Sequence, residues 1–154
     1  MRRFSCSSEI LIAMDSFRTF YQFIHKFIDI SEQEFDEYIR PYIGLRHFKK
    51  KEIITREGEV ENYLNYITKG LDRKYYKKGK EEINTQISTE GHIIHSQESF
   101  HSRTLSEYYV EAIEPTTMSW WKRDKPSIEP PPDAEAGRHV KTEGLWTKCE
   151  GWGQ

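Results

Sequence analysis

Ile53-Ile54-Thr55-Arg56-Glu57-Gly58-Glu59 and, three residues on, Tyr63-Leu64-Asn65-Tyr66-Ile67-Thr68-Lys69-Gly70 decide how the chain is read. The first is a short apolar strand run closed by a Glu-Gly-Glu turn, and the second is a longer strand run closed by glycine. Gly58 and Gly70 stand where the chain must turn, and a residue without a Cβ takes a left-handed backbone at least cost. Outward from these runs, 71–77, the turn Lys78-Gly79-Lys80 and 81–88 read as a hairpin with a Gly-containing loop. Further strands are predicted at 45–48 and 52–56, and at 108–113 and 116–121. About eight short strands at such close spacing predict a small barrel or a jelly-roll-like sandwich.

Ahead of the strands the period changes. Phe17, Phe20, Tyr21, Ile24, Phe27 and Ile28 follow the i, i+3, i+4, i+7 spacing of an amphipathic helix, with Asp15 or Ser16 as its N-cap. Ser31-Glu32-Gln33-Glu34 is a capping box, and Ile30 with Phe35 supplies the hydrophobic staple of a second short helix. That helix carries Phe35, Tyr38 and Ile39 and is expected to end near Pro41. The fold class is therefore α+β: N-terminal helices, then a β-sandwich.

The chain has 154 residues, a formal net charge of −2, 31% charged and 36% hydrophobic residues. Its mean hydropathy is low at −0.83, yet 8 Phe, 9 Tyr and 4 Trp exclude a disordered chain and supply a core. Near-neutral charge excludes a surface built wholly for nucleic acid. The charge is unevenly spread: 40–80 holds twelve Lys/Arg against five Asp/Glu, and 81–114 one Arg against seven Glu. Such halves either steer an anionic ligand or form two solvated faces of one sheet protein. Cys6 and Cys149 sit in opposite tails, with no disulfide framework, which fits a reducing compartment. After Met1-Arg2-Arg3, the apolar run Ile10-Leu11-Ile12-Ala13-Met14 is shorter than the ~7–15 residues of a signal-peptide core. No run approaches a membrane span, so a cytoplasmic protein without a membrane partner is expected. Residues 1–13 show no helical period and are expected to be a leader, with Met14 as an alternative start.

The order of these features resembles the cyclic-nucleotide-binding domain of Crp/Fnr-type transcription regulators, in the divergent bacterial branch that carries an Arg-Glu-Gly-Glu turn and a Lys-Gly strand end. The resemblance rests on the two runs quoted first, the polar strand with Arg73, then Glu98-Ser99-Phe100 and Ser106-Glu107-Tyr108-Tyr109-Val110-Glu111-Ala112-Ile113-Glu114. It implies a cyclic-nucleotide-binding-type β-roll, a double-stranded β-helix of jelly-roll form, over 14–121, and a non-enzymatic ligand-sensing role.

Family members that bind cyclic nucleotides resemble a Phe-Gly-Glu run, whose Glu bonds the ribose hydroxyl, followed by an Arg whose guanidinium neutralises the cyclic phosphate. Here the Gly and Glu positions fall on His95 and Ser96, and the Arg position and its successor on Ser106 and Glu107. One neutral hydroxyl does not replace a bidentate guanidinium, and a neighbouring carboxylate repels an anion. His95, Ser96, Glu98, Ser106 and Glu107 are thus degenerate pocket positions. No cofactor is expected, cyclic AMP is expected not to bind in the usual way, and the small-molecule ligand is unknown. Arg103 lies in the intervening loop, where it either reaches into the pocket or stays solvated.

A second reading comes from another class. His92, His95, Glu98 and His101 bring imidazoles and a carboxylate into ten residues, a ligand set for Zn, Fe or Ni in a metal-dependent cupin-like enzyme. The spacing is poor: on a strand His92 and His95 point to opposite faces, and on a helical turn the four converge only in part. The competing expectation is polar loop and pocket-wall residues. Lys49-Lys50-Lys51 and the lysines around Gly79 read as solvated hairpin tips, and the pairs Tyr75-Tyr76 and Tyr108-Tyr109 put one ring on each face of a strand.

After Trp121 the regulators would place a dimerisation helix and a helix-turn-helix. Pro130-Pro131-Pro132 and the glycines at 137, 144, 151 and 153 permit neither. Residues 122–154 are expected to be a disordered Pro/Gly-rich tail, native or the product of a frameshift, in which Trp146 and Trp152 could anchor a partner. Direct DNA binding is not expected, and dimerisation by the family's route is in doubt.

Overall fold

The computed structural model describes residues 6–122. Cys149 and the tail with Trp146 and Trp152 lie outside the described residues. Two helices, α1 (Cys6–His25) and α2 (Glu32–Tyr38), and a 3-10 turn (Arg40–Tyr42) lead into β1 (Ile43–Phe48). Then come β2 (Ile53–Thr55), β3 (Tyr63–Lys69), β4 (Leu71–Lys78), β5 (Glu81–Thr89), α3 (Gln97–Ser102), β6 (Tyr109–Ala112) and β7 (Thr116–Lys122). The strands form two antiparallel sheets, ordered β1-β7-β3 and β2-β6-β4-β5. This is the helices-plus-sandwich architecture expected from the strand runs and turns.

The helices build one core. On α1 the stripe Phe17, Phe20, Tyr21 and Ile24 faces inward, and Phe20 and Ile24 are fully buried. They meet Ile30, Phe35, Ile39, Ile43, Tyr66 and Trp121, so the outer face of the β1-β7-β3 sheet carries the helices. Side chains this size each contribute about 1.5–3 kcal/mol on burial. The α2 capping box is present: the Ser31 amide donates to Glu34 Oε2 at 2.9 Å, and the Glu34 amide donates to Ser31 Oγ at 3.2 Å. Ile30 and Phe35, the staple pair, lie in the same cluster.

The start of α1 corrects the sequence reading. The expected N-cap at Asp15 or Ser16 is helix interior, because α1 already runs from Cys6 and crosses the boundary expected at residue 13. No apolar period marks this first part because it covers no core: Ile10, Leu11, Ile12 and Met14 are exposed. The other end stops earlier than Ile28. The Tyr21 hydroxyl donates to the Ile30 carbonyl at 3.0 Å, and His25 Nδ1 lies 3.1 Å from the same oxygen, turning the chain after His25.

The second core fills the space between the sheets with Phe48, Ile67, Ile94, Val110, Ala112 and Met118. Gly70, at φ +121°, is needed where β3 turns into β4: a Cβ there would run into the Thr116 side chain and lie 2.8 Å from Thr116 Cα. Part of the uneven charge is matched across the strands. Lys77 faces Glu82 and Lys78 faces Glu81 across β4 and β5, and Arg73 Nη2 bonds Glu82 at 2.8 Å and Glu111 at 3.3 Å. The tyrosine pairs take one ring per face as expected: Tyr75 stacks on Tyr109 at 5.2 Å, and Tyr76 meets Tyr108 edge-on at 6.2 Å. Among the described residues no helix is long and apolar enough to cross a membrane.

Candidate functional site

Between β5 and β6 the chain leaves the sheet, forms α3 and returns, and all five expected pocket positions lie on this excursion. Ser96 is the N-cap residue of α3, yet its hydroxyl makes no cap bond. It is bonded instead to the Ser106 hydroxyl at 2.7 Å, with both serines buried. Ser106 Oγ also accepts the Tyr108 amide at 3.1 Å and lies 2.9 Å from the Tyr108 carbonyl. The backbone of Ser106 is paired with the Arg56–Glu59 turn: its amide donates to the Glu59 carbonyl, and its carbonyl accepts the Gly58 amide, both at 2.8 Å. Glu98 and Glu107 are exposed, on α3 and after Ser106 respectively.

Glu61, which no sequence pattern marked, is the hub of this arrangement. Its buried carboxylate accepts the Thr55 hydroxyl at 2.7 Å, the Tyr63 amide at 3.1 Å and, at 3.4 Å, the Ser96 amide. Burial pushes its pKa up, while those bonds and the field of Arg46 oppose the shift. Its backbone fixes α3: the Glu61 amide donates to Ser99 Oγ at 2.9 Å, and the Glu61 carbonyl accepts Arg103 Nη1 at 2.9 Å. Arg103 Nη2 bonds Asn62 Oδ1 at 2.6 Å, so this exposed arginine is held against Glu61 and Asn62. It braces the loop from a left-handed backbone, φ 58°.

The metal reading does not survive. His92 sits in the turn after β5 with Nδ1 3.2 Å from the carbonyls of Thr89 and Glu90, Glu98 is exposed, and only the rings of His95 and His101 come near each other, 6.4 Å apart. Among the described residues no three His, Cys, Asp or Glu side chains are placed to hold a metal ion. A turn followed by one short helix fans these four residues out instead of focusing them. His95 has a different environment: its ring packs edge-on to Phe100 at 5.2 Å, and its Nε2 is sealed from solvent without a hydrogen-bond partner. Burial, then the positive fields of Lys74 and His101, pull its pKa down to about 3, so the ring is neutral.

Two further polar groups lie in the roll interior. Asp72 pairs across the sheet with Ala112, which puts both on the inner face; it is fully buried, and neither carboxylate oxygen has a hydrogen-bond partner. Burial raises its pKa to about 7, Glu114 adds to the shift, and the nearby Thr116 hydroxyl opposes it while donating to the Glu114 carbonyl at 2.9 Å. Asn65 is likewise fully buried with both side-chain polar atoms unpartnered. Lys74, opposite Val110 on the same inner face, opens onto a cleft of about 510 Å³ that it shares with Gln86, Gln97, Glu98, His101 and Tyr108.

No family model and no curated protein matches the sequence. Solved structures do match the fold. The catabolite activator protein of Thermus thermophilus aligns over 63% of this chain and 45% of its own, with 18% identity and a TM-score of 0.54. The cAMP-bound PfPKA-R (141–441) aligns over 70% and 39%, with 12% identity and a TM-score of 0.59. The guanosine-bound regulatory subunit of a cAMP-independent protein kinase A from Trypanosoma cruzi aligns over 72% and 40%, with 19% identity and a TM-score of 0.57. This chain spans less than half the length of each. Its helices and two antiparallel sheets have the fold of the cyclic-nucleotide-binding domain found in Crp/Fnr-type regulators.

Proposed function

We propose that this chain is a non-enzymatic ligand-sensing domain whose pocket does not take cyclic AMP or cyclic GMP in the usual way. The observation that carries the reading is the bond between Ser96 and Ser106. At the two positions where the resemblance implies a ribose-binding Glu and a phosphate-binding Arg, two buried hydroxyls satisfy each other. The charge beside them is negative, from Glu61 against Ser96 and from Glu107 next in sequence to Ser106. A phosphodiester placed there would lose its hydration beside the Glu61 carboxylate and find two neutral hydroxyls where the resemblance implies a guanidinium. The same fold takes guanosine in a protein described as cAMP-independent, which supports a roll that senses something other than a cyclic phosphate.

The unit doing this comprises the helices and the roll within the expected 14–121, extended N-terminally by the first turns of α1. Direct DNA binding is not part of the proposal. Hydrogen–deuterium exchange of the full chain with millimolar cyclic AMP tests the reading. Exchange in α3 and at 103–106 should be unchanged by the nucleotide. Strong protection confined to those residues would overturn it.

A further inference from the structure

Lys74 lies on a wall of the roll where a charge is costly. It alternates with Arg73 and Tyr75, which face outward to Glu111, and it stands opposite Val110, which is fully buried. Its ammonium has no acidic partner: among the described residues no salt bridge includes Lys74, and the ring of Tyr108 lies 5.5 Å from its Nζ. Arg73, one residue away, is held by two carboxylates. The difference is one of face, not of composition, because β5 and β6 turn their glutamates outward at Glu82 and Glu111.

The cleft onto which Lys74 opens is lined by Lys74 and His101, and the one carboxylate in that lining is the exposed Glu98. Gln86 spends its amide nitrogen on Ser88 Oγ at 2.8 Å and the Ile93 carbonyl at 3.2 Å, so its orientation is fixed within the wall. Burial also depresses the Lys74 pKa, the mark of an ammonium taken from water without a counter-charge. An anion entering the cleft would supply that counter-charge, with the Tyr108 ring beside it to cover a flat or apolar body.

We infer that the cleft between β4, β5, α3 and β6 binds a small organic oxyanion, a carboxylate or a phosphate monoester, with Lys74 on the sheet wall as its charge partner. The inference rests on the proposed sensing role and names the ligand class: the cation comes from β4 and not from the Ser96 and Ser106 positions. Phosphate and carboxylate share this chemistry, since a lysine ammonium is a point charge without the fork geometry that selects between them.

An NMR titration of the full chain with inorganic phosphate, AMP and benzoate, and with neutral adenosine as control, tests this. At least one of the anions should give saturable shifts in the amides of β4 and α3, weakened by added salt, while adenosine gives none. AMP against benzoate then separates the phosphate source from the carboxylate. Lys74→Gln should weaken that binding roughly tenfold or more, Lys74→Arg should retain it, and Lys80→Gln at the hairpin tip should leave it unchanged. No saturable shift with any anion, shifts elsewhere on the molecule, or equal binding by Lys74→Gln would overturn the inference. Tight cyclic AMP binding that ignores Lys74→Gln would instead defeat the underlying reading of the pocket, so the two failures are distinguishable.

Discussion

The two cores of this molecule share one sheet and are built on opposite principles. On its outer face, Phe20, Ile24, Ile30, Phe35, Ile39, Ile43, Tyr66 and Trp121 enclose the helices in a nearly all-apolar cluster, ordered by ring contacts such as Phe20 to Tyr66 at 5.3 Å. On its inner face, Phe48, Ile67, Ile94, Val110, Ala112 and Met118 share the roll with Asp72, Asn65, Lys74 and His95. A protein selected for stability alone would not keep an unpartnered carboxylate, an unpartnered amide and an unpartnered imidazole nitrogen inside one small sandwich, because each costs about 1–3 kcal/mol. The helix side holds the fold, and the roll interior carries the stored cost that a ligand-responsive site needs.

Substitutions should separate the two regions. The largest effect is expected on the helix side: Phe20→Ala should cost about 3–5 kcal/mol in urea unfolding. A loss below 1 kcal/mol would contradict its central position. In the roll interior the sign should reverse. Asp72 has its folded pKa raised from 3.8 to about 7, so the folded state holds a proton that the unfolded chain has already released. Stability is therefore lost as pH rises from about 4 to 7 and stays low above that window. Asp72→Asn should stabilise by about 1–3 kcal/mol at pH 8, and less at pH 5. Destabilisation at pH 8 would show that the carboxylate has a partner in solution.

The smallest expected effect has the opposite pH dependence. His95 is held neutral, with its pKa lowered from 6.5 to about 3, so the unfolded chain takes a proton that the folded chain refuses. That stability is complete above pH 6.5 and is lost on acidification toward pH 3. His95→Gln should abolish this loss, seen as a stability at pH 5, relative to that at pH 7.5, higher than the native protein's by about 1–2 kcal/mol. An unchanged difference would mean that the ring titrates normally.

What the sequence made legible follows the range of the interactions involved. The α2 capping box, the stripe Phe17-Phe20-Tyr21-Ile24 and the hairpin at Gly79 depend on neighbours within a few residues, and the structure has all three. Strand β3 falls on 63–69 as read, and β4 and β5 each run one residue longer. Ser96 and Ser106 were legible as departures from a family pattern, but their mutual bond spans ten residues and appears only in three dimensions. Glu61 and Lys74 carried no local signal. Glu61 matters through Thr55 and α3, and Lys74 because the β4–β6 register sets it opposite Val110. The start of α1 was missed for the converse reason: its first part is helical without covering any core, so no apolar period betrays it.

Calorimetric titration of the full chain with cyclic AMP and cyclic GMP tests the central claim most directly. With the Ser96–Ser106 pair closed and Glu61 beside it, the account predicts no saturable heat at micromolar concentrations of either nucleotide. Low-micromolar binding of either would contradict it, because the pocket would then be recognising a cyclic phosphate without the residues that the fold's known chemistry assigns to the task.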